Sequence, residues 1–358
     1  VMKIATLTFH RTTNYGALFQ TFALQKVLES IGYETEVLDY RSNIIEARYK
    51  KPSIAYFISP KNIAKILFKN SFIRNNSKTF ANFSKKIKLS PIVYDASNIQ
   101  SANALYDRFI VGSDQVWNWE CMGVDSNYLL GFADSNKKIS YAASFGITKI
   151  PQKLEEWYKH FLVNFKSVSV RECSGKKIYN QLTNKECTVV LDPTLLLNED
   201  WVKIAHSIER VISEKYVLVY LMKETPSIFK SAKLYACTHG YRVIYINDRL
   251  FGHLGVKSLY YTSPEQWLNL FYYAECIFTN SFHGTVFSIN LHKNFWIETL
   301  PPPSKVNSRI LDILDMFGLK DRIIDKRSVL EDTPIDYSKA DEILDKQRHI
   351  SVSYTHLR

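Results

Sequence analysis

Lys3-Ile4-Ala5-Thr6-Leu7-Thr8-Phe9, followed by the polar loop His10-Arg11-Thr12-Thr13-Asn14-Tyr15-Gly16 and by Ala17 to Ile31, is the stretch whose reading decides the fold. The first run is apolar and short, as a buried strand is. In the third, Leu24, Val27, Leu28 and Ile31 recur at helical spacing, and Gly32 stops the helix. Tyr33 to Tyr40 then reads as a second strand. Strand, short loop, helix and strand predict a βαβ unit, and hence a parallel sheet. Working outward, the rhythm resumes with strands at 108–112, 138–143, 167–171 and 188–191 and helices at 151–164 and 174–182. The turn at Asp192-Pro193 marks a boundary. A second series follows, with strands at 216–222, 242–247, 275–279 and 294–298 and helices at 226–239, 264–274, 284–291 and 309–317. The expected architecture is α/β, with two Rossmann-like domains facing a cleft, at 1–192 and 193–325. A C-terminal extension covers 326–350, and both Val1 ahead of Met2 and the tail 351–358 read as non-native.

The 358 residues are 46% hydrophobic and 23% charged, ordinary values for a globular chain with a sizeable core. No run approaches the roughly 18 apolar residues of a spanning helix, and the start lacks the pattern of a signal peptide. Five scattered cysteines, without CxxC spacing, predict neither a disulfide framework nor a zinc site. These features together read as a cytoplasmic protein.

The net charge of +11 has one source. Between Ala47 and Tyr94 there is no acidic residue and there are eleven basic ones, which account for the whole excess. Two helices are expected in this insertion, at 61–70 and 77–86. In the first, Ile63, Ile66, Leu67 and Phe68 make an apolar stripe beside Lys61, Lys65 and Lys69. Such a basic amphipathic helix suits peripheral contact with an anionic membrane face; the alternative is packing of the stripe on the first domain. Tyr56, Phe57, Phe68, Phe72, Phe80 and Phe83 leave a nucleic-acid surface open on composition, although no nucleic acid is expected as a partner.

In open parallel sheets, ligands collect at the carboxyl ends of the strands. Four predicted strands end there in polar clusters: His10 to Gly16 (with Asn14 and Gly16), Gly112-Ser113-Asp114-Gln115, Arg171-Glu172, and Thr279-Asn280-Ser281-Phe282-His283-Gly284-Thr285. Each also has a purely structural reading. The glycines can serve turns, Asn14 can cap the next helix, Arg171-Glu172 can be an ion pair, and His283 a core imidazole. At equivalent positions on four strands they form a candidate site. The last cluster is the sharpest, because hydroxyls and backbone N–H groups at a helix start hold anions. GxxxxGK[ST] and GxGxxG are both absent, which argues against a P-loop and a nicotinamide cofactor.

These blocks, with Asn14-Tyr15-Gly16-Ala17, Phe109-Ile110-Val111-Gly112-Ser113-Asp114-Gln115-Val116-Trp117-Asn118, Ser140 to Gly146, Ser169-Val170-Arg171-Glu172 and Leu191-Asp192-Pro193-Thr194, resemble the polysaccharide pyruvyl transferase family over residues 3–325. The resemblance implies transfer of pyruvate from phosphoenolpyruvate to a sugar hydroxyl pair as a ketal, in cell-surface polysaccharide biosynthesis. It also implies a fold similar to the GT-B glycosyltransferases. Arg171 matches a position that binds the donor anion, and His283 matches the histidine of the family's Arg-Leu-His stretch. Ser281 stands where that stretch has arginine, so one donor-binding cation is missing; Arg309, Lys305 or the His10-Arg11 loop are the substitutes available.

The chemistry suits these side chains. A bidentate Arg matches a carboxylate or phosphate, His283 can protonate the methylene carbon, and Asp114 can accept a hydroxyl proton or position the sugar. No metal or cofactor is demanded, since amides and Arg can stabilise the charge. The expected partners are phosphoenolpyruvate and a lipid-linked or nucleotide-linked sugar. A sugar-nucleotide-dependent glycosyltransferase of the same shape is the nearest rival, and a non-catalytic binder using the basic segment is the next.

Overall fold

The computed structural model describes residues 1–49, 75, 77–249, 252–301, 307–324, 330 and 333–355. The chain forms two compact units, Val1–Lys50 with Lys85–Leu197 and Ile343–Arg358, and Lys51–Ser84 with Asn198–Glu342. Each is built around its own parallel sheet.

In the first unit, β1 (Lys3–Leu7), β2 (Glu34–Tyr40), β3 (Leu89–Tyr94), β4 (Arg108–Val111), β5 (Lys138–Ala143), β6 (Ser167–Val170) and β7 (Thr188–Val189) are ordered β3-β2-β1-β4-β5-β6-β7, every neighbouring pair parallel. Helix α1 (Tyr15–Ser30) follows β1, α2 (Gln152–Leu162) follows β5, and α3 (Cys173–Thr183) follows β6. α1 is buried along most of its length, so no polar face interrupts its apolar pattern. Apolar side chains cover both sheet faces: Leu7, Leu38, Phe109 and Val111 point into one core, and Ile4, Ile110, Ile139 and Tyr141 into the other. The alternation along β1 and β4 is the period-two geometry of a strand buried on both sides.

The second unit opens with α4 (Glu199–Ala205). β8 (Tyr216–Tyr220), β9 (Arg242–Ile246), β10 (Lys257–Leu259), β11 (Cys276–Thr279) and β12 (Asn294–Ile297) are ordered β10-β9-β8-β11-β12, again parallel throughout. α5 (Pro226–His239) follows β8, α6 (Pro264–Tyr273) precedes β11, α7 (Phe282–Asn290) follows it, and α8 (Asn307–Met316) comes after β12. α6 starts with a reciprocal capping box between Ser263 and Gln266, with Pro264 at its first turn.

Strand order reverses between β1 and β4 and between β8 and β11. At such a reversal the loops leaving two adjacent strands diverge to opposite faces and open a crevice. These two points define where a site belongs in each unit.

Three features differ from the expectation. The unit boundary falls after Leu197 rather than Asp192, and the described residues 75 and 77–84 of the basic insertion group with the second unit instead of the first. Phe80 and Phe83 of that segment are buried, and 77–84 is helical. The expected helix at 61–70 lies outside the described residues. The strands β3 and β10 escape the sequence pattern because both are sheet edges, where burial falls on few residues; β3 even carries Pro91. Finally, α9 (Ser338–Thr355) runs through the segment expected to be a non-native tail. The Ser351 side chain is buried and its hydroxyl accepts the Leu191 N–H at 3.1 Å, while the Ser167 hydroxyl donates to that of Tyr354 at 2.7 Å. Residues 351–355 are therefore part of the fold.

Candidate active site

At the carboxyl edge of the first sheet, β6 delivers Arg171 into a ring of carboxylates. Its guanidinium lies 2.9 Å from Asp192, 3.6 Å from Asp114 and 3.8 Å from Glu172. Burial works against the guanidinium's charge, but the carboxylates of Asp192, Asp114 and Glu172 outweigh it and hold Arg171 above its ordinary value. Two of the carboxylates are built into the scaffold. Asp192 Oδ1 accepts the N–H of Thr194 at 3.1 Å and its hydroxyl at 2.7 Å, while Glu172 Oε1 accepts the Ser144 hydroxyl at 2.8 Å and the Phe145 N–H at 3.2 Å. Asp114 differs. Its side chain is 13% exposed, against 0% for Asp192 and 1% for Glu172, so it is the carboxylate a substrate can meet.

The Gly112-Ser113-Asp114-Gln115 block explains how Asp114 gets there. Gly112 has φ +116°, and a Cβ on it would fall on the Tyr141 carbonyl oxygen, so only glycine fits. Asp114 itself sits at φ +70°, in the left-handed region that Asp tolerates better than most residues. Ser113 is wholly buried, its hydroxyl 3.1 Å from Asp192 Oδ2 and 3.2 Å from the Ala142 carbonyl. Gln115 Oε1 accepts from Asn118 at 2.8 Å. Asn14 is an N-cap, its side chain accepting the Ala17 N–H at 3.1 Å, and Gly16 lies buried in the first turn of α1. Nearby, Arg11 is held by Glu46 at 2.6 Å and by Asp39 at 3.5 Å, and His10 Nε2 lies 3.4 Å from Asp39.

The second unit presents a different surface. After β11, Thr279 Oγ1 donates to the Tyr220 carbonyl at 2.6 Å and accepts the Ser281 N–H at 3.0 Å, which fixes the turn. Asn280 faces away from solvent and clamps the loop after β8: its Oδ1 accepts the Met222 N–H at 2.8 Å and its Nδ2 donates to the Lys223 carbonyl at 2.6 Å. Ser281 caps α7, accepting the Gly284 N–H at 3.3 Å. The Thr285 hydroxyl returns to the Ser281 carbonyl at 3.0 Å. Gly284 is required by close approach, since a Cβ there would strike Thr279 Oγ1. Asn280, Ser281 and Thr285 thus build the turn. His283 stands on the first turn of α7, where the helix dipole favours an anion. Its ring meets Phe282 edge-on at 5.2 Å, and the buried Arg309 of α8 places its guanidinium 5.8 Å from the Phe282 ring centre. Of the substitutes for the missing cation, Arg309 is thus brought to the helix start and Arg11 is ion-paired elsewhere; Lys305 lies outside the described residues.

Sequence reading passed over one group on this edge. Glu224, after β8, accepts the Tyr245 hydroxyl at 2.9 Å and lies 3.3 Å from His253 Nε2. Glu298, after β12, accepts the hydroxyls of Thr225 and Ser227 at the start of α5. None of these residues belongs to a recognisable motif. The available signal was that Glu224 and His253 follow expected strands and Glu298 ends one. Among the described residues, no group of three or more His, Cys, Asp or Glu side chains is placed to hold a metal ion.

The sequence pattern of the polysaccharide pyruvyl transferases matches residues 14–297. The chain belongs to the polysaccharide pyruvyl transferase family. It is therefore an enzyme, and its reaction is of the pyruvyl-transfer type. No curated protein is matched significantly. Among solved structures, this pyruvyl transferase is similar to UDP-GlcNAc 2-epimerase from Neisseria meningitidis bound to UDP-GlcNAc, with TM-score 0.50 and 8% identity over 100% of this chain and 95% of that one. It is also similar to the Methanocaldococcus jannaschii UDP-GlcNAc 2-epimerase in complex with UDP-GlcNAc and UDP, with TM-score 0.49 and 12% identity over 98% and 92%. At such identity the likeness to the Neisseria enzyme speaks to fold alone, the α/β two-domain architecture of the GT-B type. Among the described residues no helix is long and apolar enough to cross a membrane.

Proposed function

We propose that this pyruvyl transferase takes pyruvate from phosphoenolpyruvate and places it as a ketal on two hydroxyls of a lipid-linked or nucleotide-linked sugar. The observation that carries the reading is the match to the family across 14–297, with His283 on the first turn of a capped helix at a strand-order reversal. The helix start and Arg309 favour the donor's negative charge. His283 delivers a proton to the methylene carbon, which makes the neighbouring carbon electrophilic. Within the first unit, Asp114 is the carboxylate exposed enough to accept from a hydroxyl.

For Arg171 the geometry supports a positioning part. A guanidinium ringed by three carboxyl groups has little charge left for a further anion, and its side chain is only 1% exposed. It acts through Asp114, holding that carboxylate in place and balancing the charge beside it. The lipid carrier of such a sugar would keep the reaction at the inner membrane face, and the basic segment 47–94 is the part of the chain suited to that surface.

The test is phosphate release from phosphoenolpyruvate against a panel of lipid-linked and nucleotide-linked sugars. Phosphate released in step with ketal is the expected result. Release of nucleotide from a sugar nucleotide, with phosphoenolpyruvate untouched, would replace this reading with glycosyl transfer.

A further inference from the structure

Closing a ketal removes protons from two hydroxyls, and Asp114 is the only acceptor assigned so far. We infer that His253, oriented by Glu224, is a general base for the acceptor hydroxyls, an inference that rests on the pyruvyl-transfer reading above.

Four observations carry it. The first is position. Glu224 follows β8, one of the two strands between which the order reverses, and Asn280 of the α7 turn clamps the residue immediately before it, Lys223. β8 also pairs with β9, whose following loop holds His253, so both side chains lie on the same sheet edge as His283. The second is tautomer. A carboxylate only accepts, so the 3.3 Å contact to Glu224 Oε1 places the proton of neutral His253 on Nε2 and leaves the lone pair on Nδ1. Among the described residues no partner occupies Nδ1.

The third is rigidity. The imidazole stacks on Phe229 with ring centres 3.8 Å apart and 27° between planes. Its loop is pinned by Asn247, which donates to Ser258 and Tyr260 at 3.2 Å each and accepts the Arg249 N–H at 2.7 Å. Tyr245 donates to the same Glu224 oxygen at 2.9 Å, and its hydroxyl is held protonated by burial and by the Glu224 charge. The fourth is access. His253 is 32% exposed and Glu224 31%, enough for a sugar to reach the ring. Asp248, paired with Arg249 at 3.2 Å, and Lys223 are the other charged groups on these two loops.

The step balances as follows. Once the donor's methylene carbon is protonated, the acceptor oxygen bonds to the adjacent carbon and its proton passes to His253 Nδ1. Nε2–H stays on Glu224, which stabilises the imidazolium. The carbon–oxygen bond to phosphate then breaks, phosphate leaves with the electron pair, and the imidazolium gives its proton to it. The restored base takes the second hydroxyl's proton as the ring closes. This is the acid–base logic of an imidazole oriented by a carboxylate.

The experiment uses the full chain, phosphoenolpyruvate and a panel of UDP-hexoses, with phosphate release followed from pH 5 to 9. His253→Gln should lose ~10²-fold or more in turnover and the acid limb of the profile, with calorimetric affinity for phosphoenolpyruvate unchanged. Glu224→Gln should lose less, because the ring keeps its place but loses its carboxylate partner. Turnover of His253→Gln within threefold of the parent, with the same profile, overturns the inference. A second readout needs no acceptor: diethyl pyrocarbonate acylates the unprotonated imidazole, and peptide mapping gives the rate at His253. That rate should drop several-fold in Glu224→Gln, and an unchanged rate also overturns the pairing. A parent chain that neither binds phosphoenolpyruvate nor releases phosphate would strike the pyruvyl-transfer reading instead, while the acylation rates still decide whether the pair exists.

Discussion

The two sheet edges that carry the candidate residues differ in their electrostatics. Around Arg171 in the first unit, charge is dense: three carboxyl groups surround one guanidinium, and hydroxyls and amides donate to Glu172 Oε1 and Asp192 Oδ1. At the start of α7 in the second unit, hydroxyls, amides and an imidazole line the turn, and the helix dipole together with the buried Arg309 supplies positive potential. The first arrangement is rigid and costly to disturb. The second is prepared for a charge that arrives from outside. On the proposed reading, a donor bearing a carboxylate and a phosphate suits the second.

The strongest way to break this contrast is Arg171→Met. Removing the cation leaves buried carboxylates without a counter-charge, and such losses typically cost about 3–5 kcal/mol. Urea unfolding should show that loss, while calorimetric affinity for phosphoenolpyruvate in the remaining folded fraction stays within threefold of the parent. A specific loss of donor affinity would return Arg171 to the anion-binding part implied by the resemblance.

His283→Ala addresses the other side. Turnover should fall ~10²–10⁴-fold through loss of a proton donor, compared at equal folded fraction because the His283 side chain is buried and its removal also costs packing. Near-normal turnover in a folded variant would leave the α7 start as a binding element only. Gly284→Ala tests the packing that fixes this turn. The added methyl meets Thr279, which is pinned by two hydrogen bonds and cannot retreat. A loss of ~1–3 kcal/mol is expected by urea unfolding, and a neutral result would show that α7 can slide. The smallest effect is Ser281→Ala, which removes the cap at Gly284 and should cost about 1 kcal/mol. Its donor affinity should weaken only as far as the helix start loosens. A loss of affinity much larger than the loss of stability would make the Ser281 hydroxyl a donor contact in its own right.

Much of this was legible before any coordinates. Among the described residues, the strand–loop–helix rhythm placed ten of the twelve strands to within a few residues, all but the edge strands β3 and β10, because buried parallel strands are uninterrupted apolar runs. Asn14, Gly112 and Gly284 were visible as turn and cap chemistry, which is local, whereas the capping of α7 by Ser281 came from the structure. Glu224 and His253 were not. They lie 29 residues apart, and nothing in either loop marks it as half of a pair.

The order of residues by itself determined the parallel α/β class, the two-part organisation, the excess of positive charge between Ala47 and Tyr94, and the family, since each depends on composition, spacing or local pattern. Only the tertiary structure decided that Arg171 is encircled by Asp114, Glu172 and Asp192, that residues 351–355 pack into the first unit, and that Glu224 faces His253. Those are contacts between strand ends or chain segments far apart in sequence. Their existence depends on sheet order, and sheet order comes from how hydrophobic faces are buried together rather than from any single stretch of residues.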